Sequence, residues 1–344
     1  MGFIHRVCAV IGLVMLAALI VGIVVIAADV LLVFFGGLLL AVFLRGLAEL
    51  VNSWTRLPVR IALALILFAM AVLLGAGSWF LAAELSSQLD QLGSNLLQIG
   101  QRLEEHLRRE VWGRQLLALL WQAGASADGG IAIRVAQIFS TSLGAAVNVF
   151  IVLFIGIYVA VNPNWYIQGL MQLIPPAGRH EAREILAAIG HTLRWWLFGR
   201  AVGMTVVGIA TTLGLWWLDM PLALGLGLIA AALDFIPVIG PILAAVPAVV
   251  VAFGSNLTQA TYVVMLYLAV QFLEGYVLTP LIEQRSVRLP PALTIGAQVL
   301  FGVLTGALGV VFATPFTAVL AVLIKRLYVE DTLERPGADH EQHA

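Results

Sequence analysis

Hydrophobic residues in this chain come in runs of membrane length. Positions 7–28 are apolar without interruption, a polar Asp29 follows, and a second run covers 30–44. At 1.5 Å per residue, a run of about 20 apolar residues covers the ~30 Å hydrocarbon core of a bilayer. The pattern predicts a membrane hairpin turning at Asp29, not a cleaved leader, whose apolar core is shorter. Further runs at 61–83, 142–161, 201–218 and 258–282 each predict a span.

Two polar inserts interrupt these runs. In the first, at 84–130, Leu85, Leu89, Leu92, Leu96, Ile99, Leu103 and Leu107 recur at alternating steps of four and three. That spacing predicts an amphipathic helical arm outside the membrane, packed on its own chain or a neighbour, or alternatively resting on the bilayer. The second insert opens with Arg179, His180, Glu181, Arg183 and Glu184, then places Ile185, Leu186, Ile189, Leu193, Trp196 and Leu197 on one helical face. With Trp195 and Trp196 beside Arg194 and Arg200, it predicts a helix at the membrane interface.

The C-terminal half has a different texture. Two short apolar pieces, 222–233 and 242–253, flank Asp234-Phe235-Ile236-Pro237-Val238-Ile239-Gly240-Pro241. The stretch 292–324 exceeds one span and is rich in glycine at Gly302, Gly306 and Gly309, which predicts two short helices. The expected fold is an all-α polytopic membrane protein of about eight spans plus broken or re-entrant helices. Its expected divisions are membrane spans at 1–83, an extracytoplasmic arm at 84–141, and a span with an interfacial helix at 142–200. A core with broken helices follows at 201–328, then a polar tail at 329–344.

Composition narrows the function. Hydrophobic residues make up 61% of the 344 and charged residues 11%, with a formal net charge of −1. So few charges cannot cover a soluble domain, and no basic patch stands ready for nucleic acid. Lone Cys8 excludes an internal disulfide. No P-loop, HExxH or GxSxG is present, no histidine has metal-ligand spacing, and no nucleophile, base and oxyanion donors converge, so neither a cofactor nor catalysis is expected. Arginines in the short loops predict that both termini are cytoplasmic.

Candidate chemistry lies at the interrupted segments. Backbone in lipid must satisfy its own hydrogen bonds, so the break at Asp234, Pro237, Gly240 and Pro241 must be buried in protein or face water. Gly/Pro-interrupted pieces of this kind point to a transport site, although a surface turn capped by Asp234 has the same pattern. Glu274 lies within an apolar span, one turn after Gln271. A carboxylate there serves as an ion or proton relay or as part of a buried structural network. Arg285 and Arg288 are the nearest cations in sequence, and with Arg200 they are the expected charge or gating partners.

The Asp234–Pro241 motif, the segment Gln271-Phe272-Leu273-Glu274-Gly275-Tyr276-Val277-Leu278-Thr279-Pro280, and Gly306-Ala307-Leu308-Gly309 with Ala313-Thr314-Pro315 resemble the AI-2E family of bacterial transporters. The resemblance covers nearly the whole chain. It implies secondary export of a small polar solute such as the quorum signal autoinducer-2, or sodium (lithium)/proton antiport as described for some members. A non-transporting envelope scaffold is a third reading. The resemblance also implies a homo-oligomer, a pentamer among the family's expected forms. Two positions depart from the family pattern: Arg200 stands where an uncharged amide is expected, and Asp219 where glycine is common.

Overall fold

The computed structural model describes residues 3–72, 75, 142–278, 280 and 289–327, with side chains from Ala27 in the first stretch and from Val147 in the second. All regular elements among these residues are helical. The predicted arm at 84–130, Arg285, Arg288 and the tail at 329–344 lie outside the described residues.

Helix α1 (Phe3–Thr55) runs through Asp29 without a turn. The hairpin expected at Asp29 is therefore not formed. The reason is local: an aspartate costs a helix no more than about 0.7 kcal/mol against alanine, and no glycine or proline adjoins it. Its carboxylate is exposed, so nothing forces the chain to bend. Helix α1 ends before Leu57-Pro58, and α2 (Val59–Val72) begins at once. Helix α3 (Ser142–Val161) matches its predicted span. Asn162-Pro163 then turns the chain by 85° into α4 (Pro163–Gln172), which exposes Trp165 and Tyr166.

Helix α5 (Arg179–Trp217) is a single element of 39 residues. The interfacial helix and the span that the sequence suggested as separate pieces are one rod. The predicted stripe does face inward, with Ile185, Leu193 and Leu197 buried. Asp219 ends α5 with φ of 50°, the left-handed conformation that explains why glycine suits this place and why aspartate is tolerated. Helices α6 (Ala223–Leu233) and α7 (Ile239–Ser255) follow, then α8 (Leu257–Leu273), whose end widens into a π-helical segment, Glu274–Leu278.

Helix α9 (Pro291–Ile324) folds back at Gly306, where φ is 66° and ψ −144°. Only glycine holds that conformation readily. The Gln298 amide donates to the Thr314 hydroxyl at 3.5 Å, and Phe301 meets Phe316 at a centroid distance of 5.2 Å. Residues 16 apart would be separated by about 24 Å in a straight helix, so α9 is a hairpin of two short arms, as its glycines predicted.

Four helices among the described residues are long and apolar enough to cross a membrane, or five counting the bent α3–α4 pair. One of the four is α9, which turns back on itself. The chain divides into two compact units. The first contains Met1–Val42, Phe150–Ile189 and Leu289–Ala344. In it Gly37 of α1 receives Ile155, while Gly156 of α3 receives Leu40, so the two helices interlock at reciprocal notches. Phe35 packs edge-on against Phe312 and Phe316. The second unit contains Phe43–Val149 and Gly190–Arg288. Its core joins Leu215, Leu226 and Ile229 to Ala248, Val251 and Val263, which sets α6 antiparallel on α7.

Candidate functional site

The loop between α6 and α7 is built by three residue types, each for a separate reason. The Pro237 carbonyl accepts from the Ile239 N–H at 2.8 Å, and Val238 between them has φ 69° and ψ −57°. This is a γ-turn of positive φ, rare and strained, and a β-branched residue makes it more so. Gly240 is buried, and a Cβ there would overlap the Leu233 carbonyl. Glycine thus allows the start of α7 to abut the end of α6. Pro241 lies in the first turn of α7, where a missing N–H leaves no intrahelical bond unmade. It starts a helix rather than breaking one.

Asp234 ends α6 and is 1% exposed. The alternative in which it caps a surface turn does not hold: among the described residues, no N–H or O–H donates to either of its carboxylate oxygens within hydrogen-bond reach. One of them packs over Gly203 of α5. Glu274, also buried, stands where α8 gives way to the π-helical segment. Such widened turns recur at functional sites because they redirect a side chain and loosen the carbonyl ladder. The Gln271 amide donates to Glu274 Oε2 at 3.0 Å, so the one-turn spacing seen in the sequence forms a direct bond.

Arg200 brings these pieces together. Its Nη1 donates to Glu274 Oε1 at 3.2 Å and to the Asp234 backbone carbonyl at 3.2 Å, and lies 3.8 Å from Asp234 Oδ2. Three sequence-distant segments, α5, the end of α6 and the end of α8, thus converge on one guanidinium. One positive charge faces two carboxylates and the negative end of the α6 dipole. With both acids ionised the cluster carries one negative charge in excess of the guanidinium. Removing one member of a buried ion pair leaves an uncompensated charge, which costs about 3–5 kcal/mol.

The predicted residues therefore divide. Asp234, Glu274, Gln271 and Arg200 form one connected cluster, and Pro237, Gly240 and Pro241 shape the turn that follows Asp234. Arg285 and Arg288, the cations nearest in sequence, lie outside the described residues. Sequence reasoning missed Tyr267 and Thr211, whose buried hydroxyls have no hydrogen-bond partner among the described residues. The signal for Tyr267 was available, since it precedes Glu274 by seven positions and so shares its helical face. A second ion pair, Arg194 with Glu49, ties α5 to α1 further along, and Arg45 joins it from the same turn of α1. Among the described residues no cluster of histidine, cysteine or acidic side chains could hold a metal.

Comparison with known proteins supports a transport role. A family model described as AI-2E family transporter matches residues 13–328. The AI-2 transport protein TqsA of Escherichia coli is 28% identical over 318 residues, covering 87% of each chain. Two Bacillus subtilis proteins named for transport also match: YrrI at 31% identity over 46% of this chain, and YueF at 29% over 53%. Those two matches span about half of the relatives' own length, 44% and 50%.

Proposed function

We propose, for a chain that belongs to the AI-2E transporter family, a secondary transporter that exports a small polar solute of the autoinducer-2 type across a bacterial inner membrane. The cluster of Arg200, Asp234 and Glu274 serves as its coupling site. The observation that carries this reading is the convergence of a buried acid pair and one arginine on the end of α6 and the π-helical widening of α8. Interrupted helices supply free carbonyls and directed dipoles at little cost, which is why transporters place their sites there. The name of TqsA supplies the class of solute. We take the C-terminus as cytoplasmic and the working form as a homo-oligomer, with five subunits as the count to test; the unbroken α1 no longer supports the same side for the N-terminus.

A second reading, sodium or lithium/proton antiport, is favoured by the excess of carboxylate over guanidinium in the same cluster. Vesicles reconstituted with purified protein separate the two. Efflux of preloaded autoinducer-2, with no sodium movement against a proton gradient, supports export. Sodium movement without solute efflux overturns it. Glu274→Gln keeps the side chain's shape and its capacity to accept from Arg200 but cannot release a proton. We expect it to reach normal amounts and lose at least tenfold in flux by either assay. Normal flux in Glu274→Gln would remove Glu274 from the mechanism.

A further inference from the structure

The surroundings of one atom in the cluster identify what the protein does not need to bind. Around Arg200 Nη1 stand a Glu274 carboxylate oxygen at 3.2 Å, the Asp234 backbone carbonyl at 3.2 Å and an Asp234 carboxylate oxygen at 3.8 Å. All three acceptors are oxygens. One is the carbonyl at the C-terminal end of α6 and another belongs to the residue ending α8. Carboxylates combined with carbonyls at half-helix C-termini are the ligand set that a hard monovalent cation takes within a membrane. Here a guanidinium nitrogen occupies the centre. The guanidinium is tethered to α5, so this cation cannot leave the site.

The surroundings of the Asp234 carboxylate fit a site built for a cation. The Asp234 carboxylate is almost wholly buried, and no N–H or O–H among the described residues satisfies it by hydrogen bonding. Its approach to α5 passes over Gly203, three residues after Arg200 on the same face, where a Cβ would press on Oδ2 at 3.2 Å. The chain thus leaves space for the carboxylate to face the position that the guanidinium fills.

Resting on the transport reading above, we infer that Arg200 is a tethered replacement for a free monovalent cation, and that the protein works without binding sodium or lithium between Asp234 and Glu274. A neutral residue at position 200 would vacate the site and leave two carboxylates facing each other. The vacated site would then recruit a soluble cation.

The test is a binding measurement on the full-length purified protein, read as Tm from tryptophan fluorescence. Sodium, lithium and N-methylglucamine chlorides are compared at equal ionic strength. A ligand that binds only the folded protein raises stability with the logarithm of its concentration. Wild type should show the same Tm in all three salts. Arg200→Gln should be less stable in N-methylglucamine and regain several degrees in sodium or lithium. Arg200→Ala should regain stability with added guanidinium at concentrations too low to denature wild type. In Arg200→Gln/Glu274→Gln the sodium effect should disappear. A sodium- or lithium-specific rise in the wild-type Tm would overturn the inference whether or not any variant folds. So would an Arg200→Gln protein indifferent to all three cations. Because the measurement reads binding and not flux, it stands apart from the vesicle assays: a wild type that moves neither solute nor ion would sink the transport reading instead.

Discussion

Single residues at the α6–α7 turn carry opposite kinds of strain. Val238 holds φ at 69° and is 42% exposed, so it has steric cost with little packing in return. A left-handed conformation costs a side-chain-bearing residue about 1–2 kcal/mol, which glycine avoids. Val238→Gly should therefore raise stability by about 1 kcal/mol after glycine's own entropic cost. A thermal melt that moves downward would show that the valine side chain contributes more than its geometry costs. Gly240 is the reverse case. Any Cβ there meets the Leu233 carbonyl, which is backbone and cannot rotate away. Gly240→Ala should lower the melting temperature and shift Asp234, reducing flux even where the protein is recovered. An alanine variant with wild-type melting and flux would mean the two helix ends have room to separate. Arg200 is a third kind of residue, because its worth depends on partners 34 and 74 positions away.

At the scale of elements, length and breaks matter more than propensity. Two hairpins, α6–α7 and the folded α9, have arms of 11 to 18 residues. At 1.5 Å per residue those arms reach about 16–27 Å, short of a full ~30 Å crossing. Helix α5 behaves differently. Trp196 and Trp216 are 20 residues apart, about 30 Å along the axis, so tryptophans mark both ends of a bilayer-sized segment. Arg200 then lies about 6 Å inside the tryptophan at the arginine-rich end. The α6–α7 hairpin is held by its turn and by antiparallel packing together. Replacing Pro237 and Pro241 with alanine restores two N–H groups and gains up to ~3 kcal/mol of helix propensity at an interior position, which favours a straight segment over 222–253. The double variant should insert in normal amounts and lose most of its flux in vesicles. Transport at the wild-type rate would make the break a passive turn.

At the scale of the whole molecule, the testable property is topology. The continuous α1 removes one expected turn, and with it the first step in the count that placed the N-terminus. The later part of the count does not depend on that turn. With the Arg45–Arg60 segment in the cytoplasm, the span that the sequence predicts over 61–83 would put Ala125 outside, and the later predicted spans would return Gly337 to the inside. A cysteine at Ala125 should react with an impermeant thiol reagent in intact cells, and one at Gly337 only after permeabilisation. Reversed labelling would invert the assignment for every segment after α2.

Membrane residence, helical class, the α3 span, the interruption after Asp234, the fold-back at the glycines of α9 and the acids Asp234 and Glu274 were all legible in the amino-acid order. Each depends on something local: the length of an apolar run, a proline or glycine that cannot continue a helix, or a charge in an apolar stretch. Two local inferences failed for the converse reason. Asp29 and Arg200 looked like boundaries, yet a lone polar residue without a breaker costs a helix too little to end it. What only the tertiary structure decided was the partner of the acids. The sequence offered Arg200, Arg285 and Arg288 without ranking them, and packing brings Arg200 to both carboxylates from another helix, the other two lying outside the described residues. No periodicity encodes that choice. It follows from small residues such as Gly203 and Gly208 letting α5 approach Asp234 and Ala231 closely, so that a buried charge finds its counterion across helices, not along the chain.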